Sequence, residues 1–141
     1  MAPGPLDELP DWALELLHGA RAARLGFVDD ADRPRVLPVT FALADGALWS
    51  AIDWKRKGDR EPARLRYLRR RPEAAITADH YEEEWEALAW VQVLGKVRVL
   101  EEAGDGLEAL RAKYAQYRVR PPAGPFLRLE PQRALCWRAS G

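Results

Sequence analysis

Cysteine occurs once in the 141 residues, at Cys136, and histidine twice, at His18 and His80. A lone cysteine cannot form an intrachain disulfide, so the core alone must hold the fold, and a reducing compartment fits. The two histidines lie far apart in sequence, and neither stands at metal-ligand spacing from Cys136, so no metal site is expected. No run approaches the roughly 20 apolar residues of a membrane helix. The start, Met1-Ala2-Pro3-Gly4-Pro5, has neither the basic residues nor the apolar stretch of a signal peptide. A cytoplasmic protein without a membrane partner is expected. Net charge is missing too: 22 basic residues balance 22 acidic ones, so there is no global pull towards nucleic acid. Lysine is scarce, with only Lys55, Lys57, Lys96 and Lys113; the other basic residues are arginine.

Apolar material is ample. Hydrophobic residues make up 48% of the sequence, enough for the core of one domain over residues 1–141. Alternation and turn residues predict strands over Ala22 to Val28, Val36 to Leu43, Ala47 to Ile52, Glu73 to Asp79 and Leu88 to Leu100. Two short closing strands are predicted over Phe126 to Leu129 and Arg133 to Arg138. Helices are expected over Pro10 to His18, from Glu61-Pro62 to Pro72, and over Leu107 to Tyr117, with one helical turn within His80 to Glu86. Asp45-Gly46 predicts a tight hairpin. Pro38 cannot donate to a ladder and marks an edge or bulge, and Gly95 marks a bulge in the longest strand. Six to seven strands with short flanking helices make the chain mainly β (α+β), an antiparallel, closed or partly closed barrel.

Charge is concentrated locally. Lys55 to Arg71 holds nine basic residues against Asp59 and Glu61, a net +7. Lys55, Arg56 and Lys57 leave a strand just before a proline-started helix, where side-chain cations, loop amides and a helix N-terminus can converge on one phosphate. Lys55 and Lys57 are therefore read as an anion site. Arg66 and Arg69 to Arg71 are read as a solvated face of the helix.

Other chemistry is thin. Cys136, flanked by Leu135 and Trp137, reads as core, and Ser50 and Ser140 lie in no nucleophile motif. The glycines form no phosphate loop or dinucleotide fingerprint, and Glu82, Glu83, Glu84 and Glu86 read as a solvated run. An enzyme built this way would take its chemistry from a cofactor. Of six tryptophans, Trp12, Trp49 and Trp137 are explained by core packing. Trp54, Trp85 and Trp90 flank the basic loop and the long strand, where they could stack on a flat ring or fill a subunit interface.

Several runs in order resemble a known family. They are Ala23-Arg24-Leu25-Gly26-Phe27, Pro34-Arg35-Val36-Leu37-Pro38-Val39-Thr40-Phe41 and Trp49-Ser50-Ala51-Ile52-Asp53-Trp54-Lys55-Arg56-Lys57 ahead of an arginine-rich helix. This order is similar to that of the pyridoxamine 5′-phosphate oxidase-like flavin-binding split-barrel family. Asp79-His80-Tyr81-Glu82-Glu83-Glu84-Trp85 with Leu88 to Gly95, then Lys113 to Tyr117 and Pro121 to Pro125, resembles its deazaflavin (coenzyme F-420)-dependent subgroup. The likeness spans about Trp12 to Trp137. It implies a split β-barrel and a homodimer with FMN or coenzyme F-420 at the interface. Pro38, Val39 and Thr40 would lie along the ring system. Ser50, Ala51, Ile52 and Asp53, with Lys55 and Lys57, would hold the ribityl phosphate. Trp90 and Gln92 would come from the second subunit. Relatives that oxidise pyridoxamine phosphate carry an Arg-Gln pair before the equivalent of Gly95 and an arginine–histidine set near the C-terminus. Here those stretches read Ala89-Trp90-Val91-Gln92 and Leu135-Cys136-Trp137-Arg138, so that activity is not implied.

The favoured expectation is an oxidoreductase passing hydride between the cofactor and a small conjugated substrate, with no catalytic side chain assigned. The alternative is a non-catalytic flavin- or haem-binding module of the same fold. A third reading, nucleic-acid binding through Lys55 to Arg71, is opposed by the zero net charge and the acidic run.

Overall fold

Seven strands form because apolar residues alternate between short turns. In the computed structural model, which describes residues 4–52 and 61–140, they make one antiparallel sheet. The strands are β1 (Ala23–Val28), β2 (Pro34–Val39), β3 (Ala42–Ala44), β4 (Ala47–Ala51), β5 (Glu73–His80), β6 (Ala89–Leu100) and β7 (Phe126–Arg138). Helices α1 (Asp11–Gly19), α2 (Ala63–Arg70), α3 (Asp105–Lys113) and α4 (Ala115–Val119) flank them.

The strand order is β2-β1-β5-β6-β7-β4-β3, so β2 and β3 lie at opposite edges of the sheet. Only Thr40 and Phe41 separate them in the chain. Three peptide steps reach at most ~11 Å, so the two edges must meet. The sheet is thus rolled into a split barrel, with its seam bridged by the chain itself.

The predicted strand over Val36 to Leu43 is therefore two strands, and the reason is local. At the crossover the Phe41 amide donates to Tyr114 Oη at 3.1 Å, and the Thr40 carbonyl accepts from Ser50 Oγ at 2.6 Å. These side chains take the place of a ladder. Pro38 is on an edge strand, as expected. Asp45 and Gly46 both have positive φ, 55° and 70°, in the tight turn between β3 and β4. The two predicted closing strands are one, β7, which pairs with β6 along its length across a register shift at Leu94/Gly95. The helix predicted over Leu107 to Tyr117 breaks at Tyr114, which is extended (φ −116°, ψ 117°). The turn expected within His80 to Glu86 lies later, a 3-10 turn at Trp85–Ala87.

Inside the barrel, Leu25, Phe27, Phe41, Ile76, Val91 and Val93 form the main core with Leu17 of α1 and Leu65 and Leu68 of α2. Each fully buried leucine contributes about 2 kcal/mol of apolar burial. A second cluster lies outside the barrel wall, where Trp49, Ala51 and Phe126 pack with Leu110 of α3 and Tyr117 of α4. Strand β4 is consequently buried on both faces.

The turn from β1 to β2 is built on Asp29, which is 1% exposed. Its Oδ1 accepts the amides of Ala31 and Arg33 at 2.9 and 3.0 Å, and its Oδ2 accepts from Arg33 Nε at 3.1 Å. The backbone bond from Arg33 leads in holding this carboxyl below its ordinary value of 3.8, against the opposing effect of burial. Because the folded pKa is the lower one, the stabilisation is present above pH 3.8 and is lost as pH falls through the folded value. Asp29→Ala should thus lower the melting temperature at neutral pH, and the gap to wild type should close in acid. Parallel melts at both pH values check this; a gap unchanged in acid would contradict the assignment.

Candidate functional site

Alternation decides which side chains leave the barrel. Along β6, Val91, Val93 and Val97 point inward, so Trp90, Gln92 and Leu94 point outward. Cross-strand register then builds an outer row from Pro38 through Arg24, Thr77 and Gln92 to Leu135. A second row runs from Val36 through Gly26, Ala75 and Leu94 to Arg133. Gln92 Nε2 donates to Thr77 Oγ1 at 3.0 Å within the first row. Trp90 stands opposite both Asp79 and Trp137, and Arg24 pairs with Asp79 at 3.0 Å.

Helix α3 covers the outer face of β3 and β4. Among the described residues nothing covers the face of β2, β1, β5, β6 and the far end of β7. Val36 is 64% exposed there, Trp90 37% and Trp137 46%. An open, mainly apolar depression of about 470 Å³ lies between Val36, Gly26, Ala75 and Leu94. Trp137 was expected in the core. The register shift moves it out: one extra residue in β7 reverses the alternation, so Leu127 and Leu129 point inward before it and Ala134 and Cys136 after it.

The candidate residues therefore separate into two groups. Pro38, Trp90 and Gln92 share the uncovered face. Pro38 and Gln92 are three strand spacings apart, ~14 Å, so one chain cannot close them on the same ring atom. Val39 packs its side chain against the core and offers only backbone to that face. Thr40 belongs to the seam, its hydroxyl 2.7 Å from Tyr117 Oη. Ser50, Ala51 and Ile52 form the second group, all buried. The Ser50 hydroxyl is engaged by Thr40, and the Ile52 amide donates to Pro125 O at 3.3 Å. Asp53, Lys55 and Lys57, together with Trp54, lie outside the described residues.

The helix arginines are outward and partnered. Arg66 and Arg70 reach Asp30, Arg71 reaches Asp32, and Arg69 holds Glu61 at 2.8 and 2.9 Å. At these exposures each pair contributes little to stability, but the acidic turn offsets much of the segment's charge.

The sequence placed Tyr114 and Tyr117 within a predicted helix, Leu107 to Tyr117, and their function in the seam was missed. Tyr114 Oη accepts the Phe41 amide and donates to Arg21 O at 2.9 Å. Burial holds this hydroxyl protonated above its ordinary range. The available signal was two tyrosines three apart, where leucines would fill the same space. Among the described residues no cluster of His, Cys, Asp and Glu could hold a metal, and no helix is long and apolar enough to cross a membrane.

No protein-family model and no curated protein matches the chain. Solved structures do. A putative 5-nitroimidazole antibiotic resistance protein from Bacteroides thetaiotaomicron superposes with a TM-score of 0.70 at 16% identity, over 92% of this chain and 83% of that one. A FAD-binding protein from Mesorhizobium loti gives 0.65 at 19% identity, over 91% and 94%. A heme-binding protein from Mycobacterium smegmatis gives 0.66 at 22% identity, over 94% of this chain and 55% of the other. The chain has the split-barrel fold that these proteins share.

Proposed function

We propose that residues 1–141 form one flavin-binding unit and that two copies pair through the uncovered sheet face, enclosing FMN or coenzyme F-420 at each end of the interface. The observation that carries this is the outer face itself. Helix α3 covers the outer face of β3 and β4, while the uncovered remainder presents Val36, Trp90, Leu135 and Trp137. The distance across that face supports a division of labour. Pro38 to Thr40 of one protomer would meet the ring, and Trp90 and Gln92 of the other would complete the site. From Ile52 the chain enters Asp53 to Lys57, where Lys55 and Lys57 would neutralise the phosphate. The amides of Val39 and Thr40 would address the ring edge; that of Phe41 is already given to Tyr114. When bound, the cofactor would supply hydride transfer to a small conjugated substrate, and this chain's residues would bind, orient and exclude water.

Likeness to FAD-binding and heme-binding proteins supports a cofactor module, and the heme-binding neighbour keeps a carrier function as the second reading. Titrating the purified protein with FMN and with coenzyme F-420 should quench the fluorescence of one of them. Lys55→Ala and Lys57→Ala should each weaken that binding about tenfold, the worth of one charge-assisted contact. Absence of binding to either cofactor at tens of micromolar would sink the flavin readings, and absence of heme binding as well would sink the carrier. Bound, reduced cofactor that no quinone or enone reoxidises would favour the carrier.

A further inference from the structure

The C-terminal ends of α1 and α3 meet beside β3 around an open cleft of about 440 Å³. His18, Arg21 and Lys113 line it, with Ala42 and Leu43 as apolar wall and no carboxylate among the described lining residues. Basic side chains at helix C-termini commonly cap carbonyls, and part of the arrangement is capping. Lys113 Nζ donates to Leu17 O at 3.3 Å, and Arg21 Nη2 to Lys113 O at 2.8 Å.

Capping does not account for the rest. Each carbonyl occupies one donor, whereas an ammonium has three and a guanidinium five. Both cations are also fixed against rings: Lys113 Nζ lies 3.7 Å from the Phe41 ring centre, and Arg21 Cζ lies 4.8 Å from that of Tyr114. A surface cap ordinarily reaches water, but Lys113 is half-buried. Burial, and then the charge of Arg21, push its ammonium down to about 8. Two like charges are thus held together with unused donors and no counter-ion in the lining.

We propose that this cleft binds a small organic oxyanion, a carboxylate or phosphate monoester with a short apolar group, on Arg21, Lys113 and His18. The guanidinium fork matches two oxygens of such a group. The ammonium supplies the second charge, and Ala42 and Leu43 receive the apolar portion. The site uses none of the residues assigned to the cofactor.

The test follows side-chain resonances of labelled protein during titration with butanoate and, in a separate arm, with butyl phosphate, against chloride at equal ionic strength. Saturable shifts are expected at His18, Arg21 and Lys113, with the Lys113 pKa rising from about 8 towards 10.5 when the anion is bound. Arg21→Gln should weaken binding about tenfold or more. The stronger arm identifies the source of the oxyanion. No saturable response to either compound at ~50 mM, far above a millimolar dissociation constant, would overturn the site. So would an unmoved Lys113 titration in the wild-type protein, which needs no variant to fold. Equal binding by folded Arg21→Gln would do the same.

Discussion

Leu135→Asp should leave the chain folded and make it monomeric. Leu135 points outward at the end of the row that begins at Pro38, and in a single chain its side chain is only partly buried. An aspartate there stays hydrated, so the cost to the isolated barrel should be below about 1 kcal/mol. In a twofold dimer the same position is met from both protomers, and each copy would bury a carboxylate without a partner. That costs several kcal/mol per ion, so the dissociation constant should rise about a thousandfold or more. Sedimentation at tens of micromolar should then show a dimer for wild type and a monomer for the variant, with matching circular dichroism. Cofactor binding should fall in parallel, because Trp90 and Gln92 would no longer arrive from the second copy. A variant that stays dimeric, or a wild-type protein that is monomeric, would remove the interface from this face. Wild-type cofactor affinity in a monomeric variant would instead place the cofactor within one chain.

Much of the barrel was legible because its signals are local. Asp45-Gly46 announced a hairpin, Pro38 an edge, Gly95 an irregularity, and the alternation of β6 needs no partner to be read. The misreadings share one cause, which is that they depend on residues distant in sequence. The break at Thr40 and Phe41 is made by Ser50 and Tyr114, some ten and seventy residues away. The end of α3 is set by the same contacts, since Tyr114 must turn its hydroxyl to the seam. Trp137 was misplaced because its face depends on a residue count across the β7 bulge that alternation alone does not give. Likewise Arg21 and Lys113 look unremarkable in sequence, 92 positions apart, and become a cluster only when α1 and α3 end side by side. Of the candidate residues, Pro38, Trp90 and Gln92 were named through family resemblance alone, and it is the cross-strand register that brings them to one face.

Gly95→Ala should be strongly destabilising, although it adds only a methyl group. A Cβ built on Gly95 would lie 2.0 Å from the carbonyl oxygen of Glu130 and 2.9 Å from its carbonyl carbon. Both are backbone atoms of the paired strand, so no side-chain rotation relieves the overlap. Strands β6 and β7 would have to separate at the bulge, at the upper end of overpacking costs, about 3 kcal/mol. For a chain of this size that is roughly a 10 °C fall in melting temperature. Gly19→Ala is the matched control, because nothing lies within 4 Å of a Cβ there and alanine favours the end of α1. The consequence for function follows from the same geometry. The extra residue opposite Gly95 is what turns Leu135 and Trp137 to the outer face. A variant that survives by expelling the bulge would therefore rotate them inward and expose Ala134 and Cys136. Thiol labelling of Cys136, the sole cysteine, reads this directly. Labelling should be slow in wild type, where Cys136 packs against the core, and fast in any Gly95→Ala population that has lost the register. Equal stability of the two alanine variants, with equally slow labelling, would contradict the close approach at Gly95 and the outward placement of Trp137 that depends on it.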